Sequence, residues 1–161
     1  MITSETGMKA EKARNEDAGA LVQLRLDYLA EDHGGLDEKD KALIRQRLPL
    51  FFQTHLNKDC ICYIVREQDM IVSCAFLLVV EKPMSPAFIS GKTGTVLNVY
   101  TRPEFRHRGC AKRIMERLIA DAETMGLDSV ELKATDAGYA LYRSMGFADD
   151  KKYLPMKLTF R

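Results

Sequence analysis

The segment Arg106-His107-Arg108-Gly109-Cys110-Ala111 places two arginines and a glycine directly before a strongly amphipathic helical pattern. The first backbone N–H groups of a helix have no partner within the helix, and the positive end of the helix dipole lies beside them. A phosphate group is therefore favoured at this point. Because Gly109 has no Cβ, the backbone there could come close to such a ligand. The spacing predicts an anion-binding loop.

This loop differs from the two commonest nucleotide-binding motifs. No Gly-Lys-Ser/Thr follows it, so it is not a P-loop, and the sequence lacks the Gly-x-Gly-x-x-Gly fingerprint of dinucleotide-binding folds. We therefore expect a diphosphate ligand other than ATP in a P-loop or NAD in a Rossmann fold.

Alternating strands and helices must position the loop. Six strands are expected, over residues 8–13, 60–65, 70–80, 95–101, 127–134 and 152–160. Four helices are expected to begin at residues 15, 37, 109 and 136, and Pro49 must kink or divide the second of them. Residues 82–94 hold two prolines and two glycines and are expected to form a loop. The order predicts an α/β sandwich on a mixed sheet, with the fourth and fifth strands parallel because a helix crosses between them.

Length and charge limit the classes of function. A chain of 161 residues is long enough for a single domain, expected at 8–161, behind a frayed or added tail at 1–7. The 24 Lys and Arg residues nearly balance the 23 Asp and Glu residues, so neither nucleic acid nor a membrane is an expected partner. The sequence lacks an apolar run of the roughly 20 residues that a spanning helix needs, and it lacks a signal peptide. A cytoplasmic protein is expected.

The four cysteines are expected to be reduced and buried, since Cys60 and Cys62 alternate along a predicted strand. The three histidines are not spaced as zinc ligands, so no metal is expected. Cys110 stands at a predicted helix N-terminus, a position that lowers the pKa of a thiol.

Two motifs together resemble the GNAT superfamily of acyl-CoA-dependent N-acetyltransferases. The segment from Arg106 to Ala111 fits the family's Arg/Gln-x-x-Gly-x-Gly/Ala loop. Downstream, Ala140-Leu141-Tyr142 runs into Gly146-Phe147, which is similar to the family's second hallmark helix. The resemblance implies a three-layer α/β sandwich whose sheet is mixed and mostly antiparallel. It also implies a central parallel strand pair that splays apart to admit acetyl-CoA.

The resemblance further implies acetyl-CoA as co-substrate. Backbone N–H groups of the loop would hold its pyrophosphate, and main-chain groups of Val99 and Thr101 would bind its pantetheine arm. Thr135 occupies a position where many relatives carry an asparagine that contacts the cofactor. The implied cofactor-binding residues are Val99, Thr101, Arg106, His107, Arg108, Gly109, Cys110, Ala111, Lys112 and Thr135.

For catalysis, the resemblance implies direct attack of a primary amine on the thioester, with Tyr142 as the general acid for the departing thiolate. Many members place a glutamate general base on the fourth strand, where this chain has Asn98. An amide cannot take a proton at neutral pH, so the expected role of Asn98 is to orient a water or the substrate. The sequence assigns neither the general base nor the acceptor amine.

A second hypothesis is a non-catalytic acyl-CoA sensor or interaction module on the same fold. The missing glutamate at position 98 supports it, and the retained Tyr142 argues against it. Homodimers are common among relatives, so a homodimer is one expected assembly, although no interface patch stands out in the sequence.

Overall fold

The computed structural model describes residues 8–161, and the predicted tail at 1–7 lies outside the described residues. In the described range the strands are β1 (Ala10–Lys12), β2 (Cys60–Glu67), β3 (Met70–Glu81), β4 (Lys92–Thr101) and β5 (Val130–Leu132). The helices there are α1 (Ala18–Asp32), α2 (Glu38–His55), α3 (Cys110–Thr124) and α4 (Asp136–Ser144).

The strands form one sheet in the order β1-β2-β3-β4-β5. The first three neighbouring pairs are antiparallel, and β4 and β5 are parallel. The predicted hairpin of β2 and β3 and the predicted parallel pair are therefore confirmed. Both β1 and β5 are shorter than the sequence predicts.

Helices cover both faces of this sheet. Apolar residues of α1 and α2 pack on one face, among them Leu21, Leu24 and Phe52. Ile114, Met115 and Leu118 of α3 pack on the other. Alternate residues of β2 supply both cores, with Cys62 and Ile64 on the first face and Tyr63 and Val65 on the second. The expected three-layer α/β sandwich with a mixed, mostly antiparallel sheet is confirmed.

Two helices differ in detail from expectation. α2 runs unbroken from Glu38 to His55 with Pro49 inside it, so the proline does not divide the helix. A short 3-10 turn at Asn15–Asp17 precedes α1, whereas the sequence predicts that Asn15 caps this helix directly.

β4 begins at Lys92, earlier than the predicted start at residue 95. The difference arises at Gly94, which reads as a loop residue in the sequence but pairs with both neighbouring strands. A Cβ at this position would lie 2.7 Å from Cδ1 of Leu77. Gly94 is thus required by close packing within the sheet rather than by a turn.

A β-bulge interrupts β4 near its middle. In the pairing of β3 with β4, Phe76 lies opposite Leu97 and Cys74 lies opposite Tyr100. Between these pairs β4 has two residues, Asn98 and Val99, where β3 has a single residue. Asn98 takes a left-handed conformation with φ of 56°. A bulge of this kind bends its strand and increases the local twist.

The predicted last strand at 152–160 is wrong, because the described chain forms no strand there. The alternation of apolar residues is present, but this segment pairs with no strand of its own chain, and Met156 is 95% exposed. As a consequence the parallel pair of β4 and β5 lies at one end of the described sheet and not at its centre, the position that the resemblance implies.

Candidate functional site

The parallel pairing of β4 and β5 ends early and leaves a cleft. It covers Gly94–Val96 opposite Val130–Leu132, while β4 continues beyond it to Thr101. Two cavities of about 780 and 440 Å³ lie beside this unpaired part of β4. They share the lining residues Tyr28, Val99, Thr135 and Tyr142. The two cavities thus adjoin, and we call them together the main cleft.

The N-terminus of α3 lines one end of the main cleft. Gly109 is the N-cap residue with φ of 78°, and no side chain within the described residues caps the helix. His107 also has a positive φ, of 62°. His107, Gly109, Cys110 and Ala111 all line the larger cavity. The first N–H groups of α3 therefore stand beside the cleft without a side-chain acceptor.

The basic residues predicted to bind the cofactor take different positions. Arg106 and Lys112 line the main cleft, but the guanidinium of Arg106 donates to Glu31 at 2.6 Å and to the carbonyl oxygen of Thr101 at 2.9 Å. Arg108 lines a separate cavity, where its guanidinium lies over the ring of Phe105 at 5.1 Å. Part of the positive charge expected at the loop is therefore paired with a carboxylate or turned away from the cleft.

Cys110 corrects a prediction. The helix N-terminus was expected to lower the pKa of its thiol, but burial raises that pKa, and the neighbouring Arg113 and Arg108 oppose the effect only in part. The residue is 2% exposed. Desolvation of the thiolate therefore outweighs the attraction of the neighbouring arginines. All four cysteines are buried and free, as predicted.

Tyr142 lies on α4 in the wall shared by both cavities. The residue is 8% exposed, and its ring meets that of Phe147 edge to face, with centroids 5.9 Å apart. Burial raises the pKa of the Tyr142 phenol, and the nearby Tyr28 contributes in the same direction. This phenol is therefore neutral and able to donate a proton at pH 7.

The side chains of Asn98 and Thr135 both form hydrogen bonds within the protein. The Asn98 side chain is buried, accepts from Arg25 Nη1 at 3.1 Å and donates to Cys74 Sγ at 3.4 Å. The Thr135 hydroxyl accepts from the backbone N–H of Gly138 at 3.3 Å and so caps α4. Both residues line the main cleft. Asn98 anchors the bulge to α1, and Thr135 fixes the start of the helix that carries Tyr142.

Sequence reasoning missed the wall that α1 provides. Tyr28, Glu31 and Asp32 line the larger cavity. Their spacing of three and four residues places them on one helical face, which is the signal that could have found them. That this face turns toward the loop from Arg106 to Ala111 is decided by the packing of α1 on the sheet.

Residues 8–161 provide neither a metal-binding cluster nor a membrane-spanning helix. This range contains no group of three or more His, Cys, Asp or Glu side chains arranged to hold a metal ion. None of the helices in it is both long enough and apolar enough to cross a membrane.

The geometry agrees with comparisons to known proteins. Residues 21–147 match the model of the acetyltransferase (GNAT) family. A crystal structure of a predicted acetyltransferase with acetyl-CoA from Clostridium acetobutylicum has a TM-score of 0.80 and 26% sequence identity. That match covers 93% of this chain and 96% of the other.

Two curated proteins are also similar. An amino-acid acetyltransferase of Pseudomonas putida is 23% identical over 148 residues, which are 92% of this chain but 29% of that protein. The ribosomal protein bS18-alanine N-acetyltransferase of Salmonella typhimurium is 38% identical over 56 residues, which are 33% of this chain and 38% of that protein. The chain thus spans well under half the length of these curated relatives.

The position of Tyr142 depends on Gly138, one turn before it. A Cβ at Gly138 would lie 2.7 Å from Cε2 and 3.3 Å from the hydroxyl oxygen of Tyr142. Alanine normally stabilises a helix relative to glycine by about 0.5–1 kcal/mol. We expect Gly138→Ala instead to lower the free energy of unfolding, measured by urea denaturation, because the buried ring must move.

The matched control is Gly19→Ala in α1, where nothing lies within 4 Å of the new Cβ. It should raise the free energy of unfolding by up to about 1 kcal/mol. Equal stabilisation by both substitutions would contradict the tight contact at Tyr142.

Proposed function

The chain belongs to the GNAT family of acetyltransferases, and we propose that it transfers an acetyl group from acetyl-CoA to a primary amine of a small-molecule or peptide acceptor. The observation that carries the proposal is the shared lining of one cavity by the N-terminus of α3 and the buried phenol of Tyr142. An anion-binding end and a proton donor at one cavity are what transfer from a CoA thioester requires.

The main cleft fits the parts of acetyl-CoA in order. The first N–H groups of α3 and the loop from His107 to Ala111 would hold the pyrophosphate, with Lys112 nearby. The pantetheine arm is extended and carries amides, so it can bond to the part of β4 that β5 leaves unpaired, at Val99 and Thr101. The thioester would then reach the region shared with the smaller cavity, beside Tyr142.

The chemistry follows from this placement. The amine nitrogen attacks the thioester carbonyl carbon and forms a tetrahedral intermediate with a negatively charged oxygen. The C–S bond then breaks, and the sulfur leaves with the bonding electron pair. The proton that it takes comes from the Tyr142 hydroxyl, since burial keeps this phenol protonated. The attacking nitrogen loses one proton as the amide forms, and uptake of a proton from solvent restores the Tyr142 phenol.

The acceptor would approach through the smaller cavity, where Glu131 of β5 lines the main cleft near the thioester. Glu31 on α1 lines the larger cavity and is already paired with Arg106. Negative groups attract an ammonium ion, which is the form of an aliphatic amine that dominates at pH 7. The ion must lose a proton before attack, and Asn98 cannot take it.

The names of the curated relatives are consistent with an amine of this kind. One is called an amino-acid acetyltransferase and the other a ribosomal protein alanine N-acetyltransferase. We extend only the shared chemical class, a primary amine on a small molecule or peptide, to this chain. We also place the reaction in the cytoplasm, because four free buried cysteines suit a reducing compartment.

Turnover separates this enzyme from a non-catalytic acyl-CoA-binding module. Release of free thiol from acetyl-CoA should be measured across a panel of amino acids, polyamines and peptides with free N-termini. At least one amine should accelerate thiol release above the rate of hydrolysis. Tight binding of acetyl-CoA with no acceleration by any amine would favour the binding module.

Substitution of Tyr142 tests its role as the proton donor. Tyr142→Phe removes the hydroxyl and keeps the ring that packs on Phe147. We expect kcat to fall by about 10²- to 10⁴-fold, with little change in the Kd of acetyl-CoA. The control is Tyr139→Phe on the same helix, since Tyr139 is 44% exposed and does not line the main cleft. Loss of acetyl-CoA affinity in Tyr142→Phe would instead assign this residue a structural role.

Substitution of Gly109 tests the phosphate site. Gly109→Val places a branched side chain at a residue with φ of 78° and distorts the first turn of α3. We expect calorimetry to show the Kd of CoA rising at least about tenfold, which corresponds to roughly 1.4 kcal/mol.

The matched control is Gly126→Val at the other end of α3. Gly126 has a similar φ of 74°, and nothing lies within 4 Å of its new Cβ. Gly126→Val imposes the same backbone strain as Gly109→Val but away from the main cleft. The affinity of the folded variant for CoA should therefore be unchanged. Equal weakening by both variants would mean that strain, and not contact with phosphate, explains the loss.

A further inference from the structure

Arg25 on α1 is a half-buried arginine that lacks a carboxylate partner. Residues 8–161 contain five half-buried arginines: Arg25, Arg66, Arg102, Arg106 and Arg117. The last four each form an ion pair with an aspartate or a glutamate. Within this range Arg25 forms no ion pair, so the protein leaves its positive charge without a counter-ion.

The Arg25 guanidinium also has few hydrogen-bond acceptors. Of its five N–H groups, one on Nη1 donates to Oδ1 of Asn98 at 3.1 Å, and the described chain offers the others no acceptor. Burial lowers the pKa of this guanidinium, and the nearby Tyr28, Cys74 and Asp32 oppose the effect only in part. A half-buried cation without a carboxylate costs free energy, which a bound anion would recover.

Three residues on successive turns of α1 follow the main cleft from one end to the other. Glu31 pairs with Arg106 beside the N-terminus of α3, and Tyr28 lines both cavities. Arg25 lies over the Tyr28 ring, with Cζ 5.8 Å from the ring centroid. Its partner Asn98 lines the smaller cavity and not the larger one. Arg25 therefore stands at the wall of the smaller cavity, where the acceptor would enter.

Asn98 holds this guanidinium in place without neutralising it. Its amide accepts from Arg25 and donates to Sγ of Cys74 at 3.4 Å, so the amide is fixed from two sides. An amide carries no charge. A carboxylate at position 98 would instead pair with Arg25 and leave no charge for a ligand. An asparagine at this point of the bulge therefore preserves a fixed, unpaired cation beside the cavity.

The smaller cavity itself is lined by one cation and one carboxylate, Lys133 and Glu131. Lys133 is exposed and forms no ion pair within the described residues. Glu131 accepts from Oγ1 of Thr95 at 3.3 Å. A ligand with one ammonium and one carboxylate group would match these charges. A peptide N-terminus presents a neutral amide beside its amine, and such a group could not neutralise Arg25.

From these features we infer that the smaller cavity binds an acceptor whose carboxylate lies close to its amine, as in an α-amino acid, and that Arg25 and Lys133 hold this carboxylate. The inference rests on the proposed function and narrows its acceptor class. A guanidinium can bind a carboxylate through two parallel N–H···O bonds. A single carbon separates the amine from the carboxylate in an α-amino acid. A carboxylate at Arg25 would therefore keep the amine near the bulge of β4, beside the thioester.

Matched acceptors test this recognition. Thiol release from acetyl-CoA should be measured for a set of α-amino acids and for the carboxamide of each one. We expect kcat/KM for at least one amino acid to exceed that of its amide by about tenfold or more, because hydrogen bonds between charged groups are the stronger ones. The amide is the weaker base and supplies more free amine at pH 7, which works against the expected preference.

Two substitutions should remove the preference. Arg25→Gln deletes the cation, and Asn98→Asp supplies a carboxylate that pairs with it. Each should raise KM for the amino acid and lower the acid-to-amide ratio of kcat/KM by about tenfold. The control is Arg45→Gln, which removes an exposed arginine of α2 that lines neither cavity and should keep the wild-type ratio. Urea denaturation checks that each variant folds.

Calorimetry on the protein loaded with CoA measures binding without turnover. Amino acids should bind about tenfold more tightly than their amides, and Arg25→Gln should abolish the difference. Equal binding of acids and amides, or a preference that survives both Arg25→Gln and Asn98→Asp, would overturn the inference. Preferential binding of the acids without thiol release for any amine would instead refute the proposed transfer reaction and leave the carboxylate site standing.

Discussion

The early separation of β4 from β5 is the constraint on which the rest of the site depends. Parallel pairing stops at Val96 and Leu132, and the bulge at Asn98 and Val99 follows directly. Asn98 is held there by Arg25 from α1 and by Cys74 from β3, both through its buried amide. This amide therefore ties the bend in β4 to two other elements. The backbone edge of β4 beyond Val96 is free because its pairing with β5 ends there, and the bulge bends this free part of the strand.

At the end of the main cleft formed by the N-terminus of α3, backbone N–H groups contribute more of the positive potential than side chains do. Arg106 is paired with Glu31, and Arg108 faces a separate cavity. What remains at the cleft is Lys112 and the uncapped N-terminus of α3, whose N–H groups are fixed by the helix and need no reorganisation to bind an anion. The pairing of Arg106 with Glu31 joins the loop to α1, so it serves to hold the walls together.

Much of the secondary structure could be predicted because its signals are local. The i, i+3, i+4 spacing in α3 and the alternation in β2 and β3 need no knowledge of the rest of the chain. Gly94 was misjudged for the same reason, since it reads as a turn residue but is required by close packing against Leu77 of a neighbouring strand. Of the two outcomes predicted at Pro49, a kink or a division, the division does not occur, because α2 continues through the proline. Residues 152–160 have the pattern of a strand, yet pairing is a property of two strands, and a single segment cannot specify its partner.

The sequence by itself determined the helix that begins after Gly109, and it predicted an anion site in the loop before that helix and a site role for Tyr142, because each depends on residues close together in the chain. It also led to the family, since two motifs occur in the right order. Only the tertiary structure decided which predicted residues meet at one cleft, that α1 supplies its third wall, and that burial raises the pKa values of Cys110 and Tyr142. These properties arise from desolvation and from contacts between segments distant in sequence, and neither is encoded in local spacing.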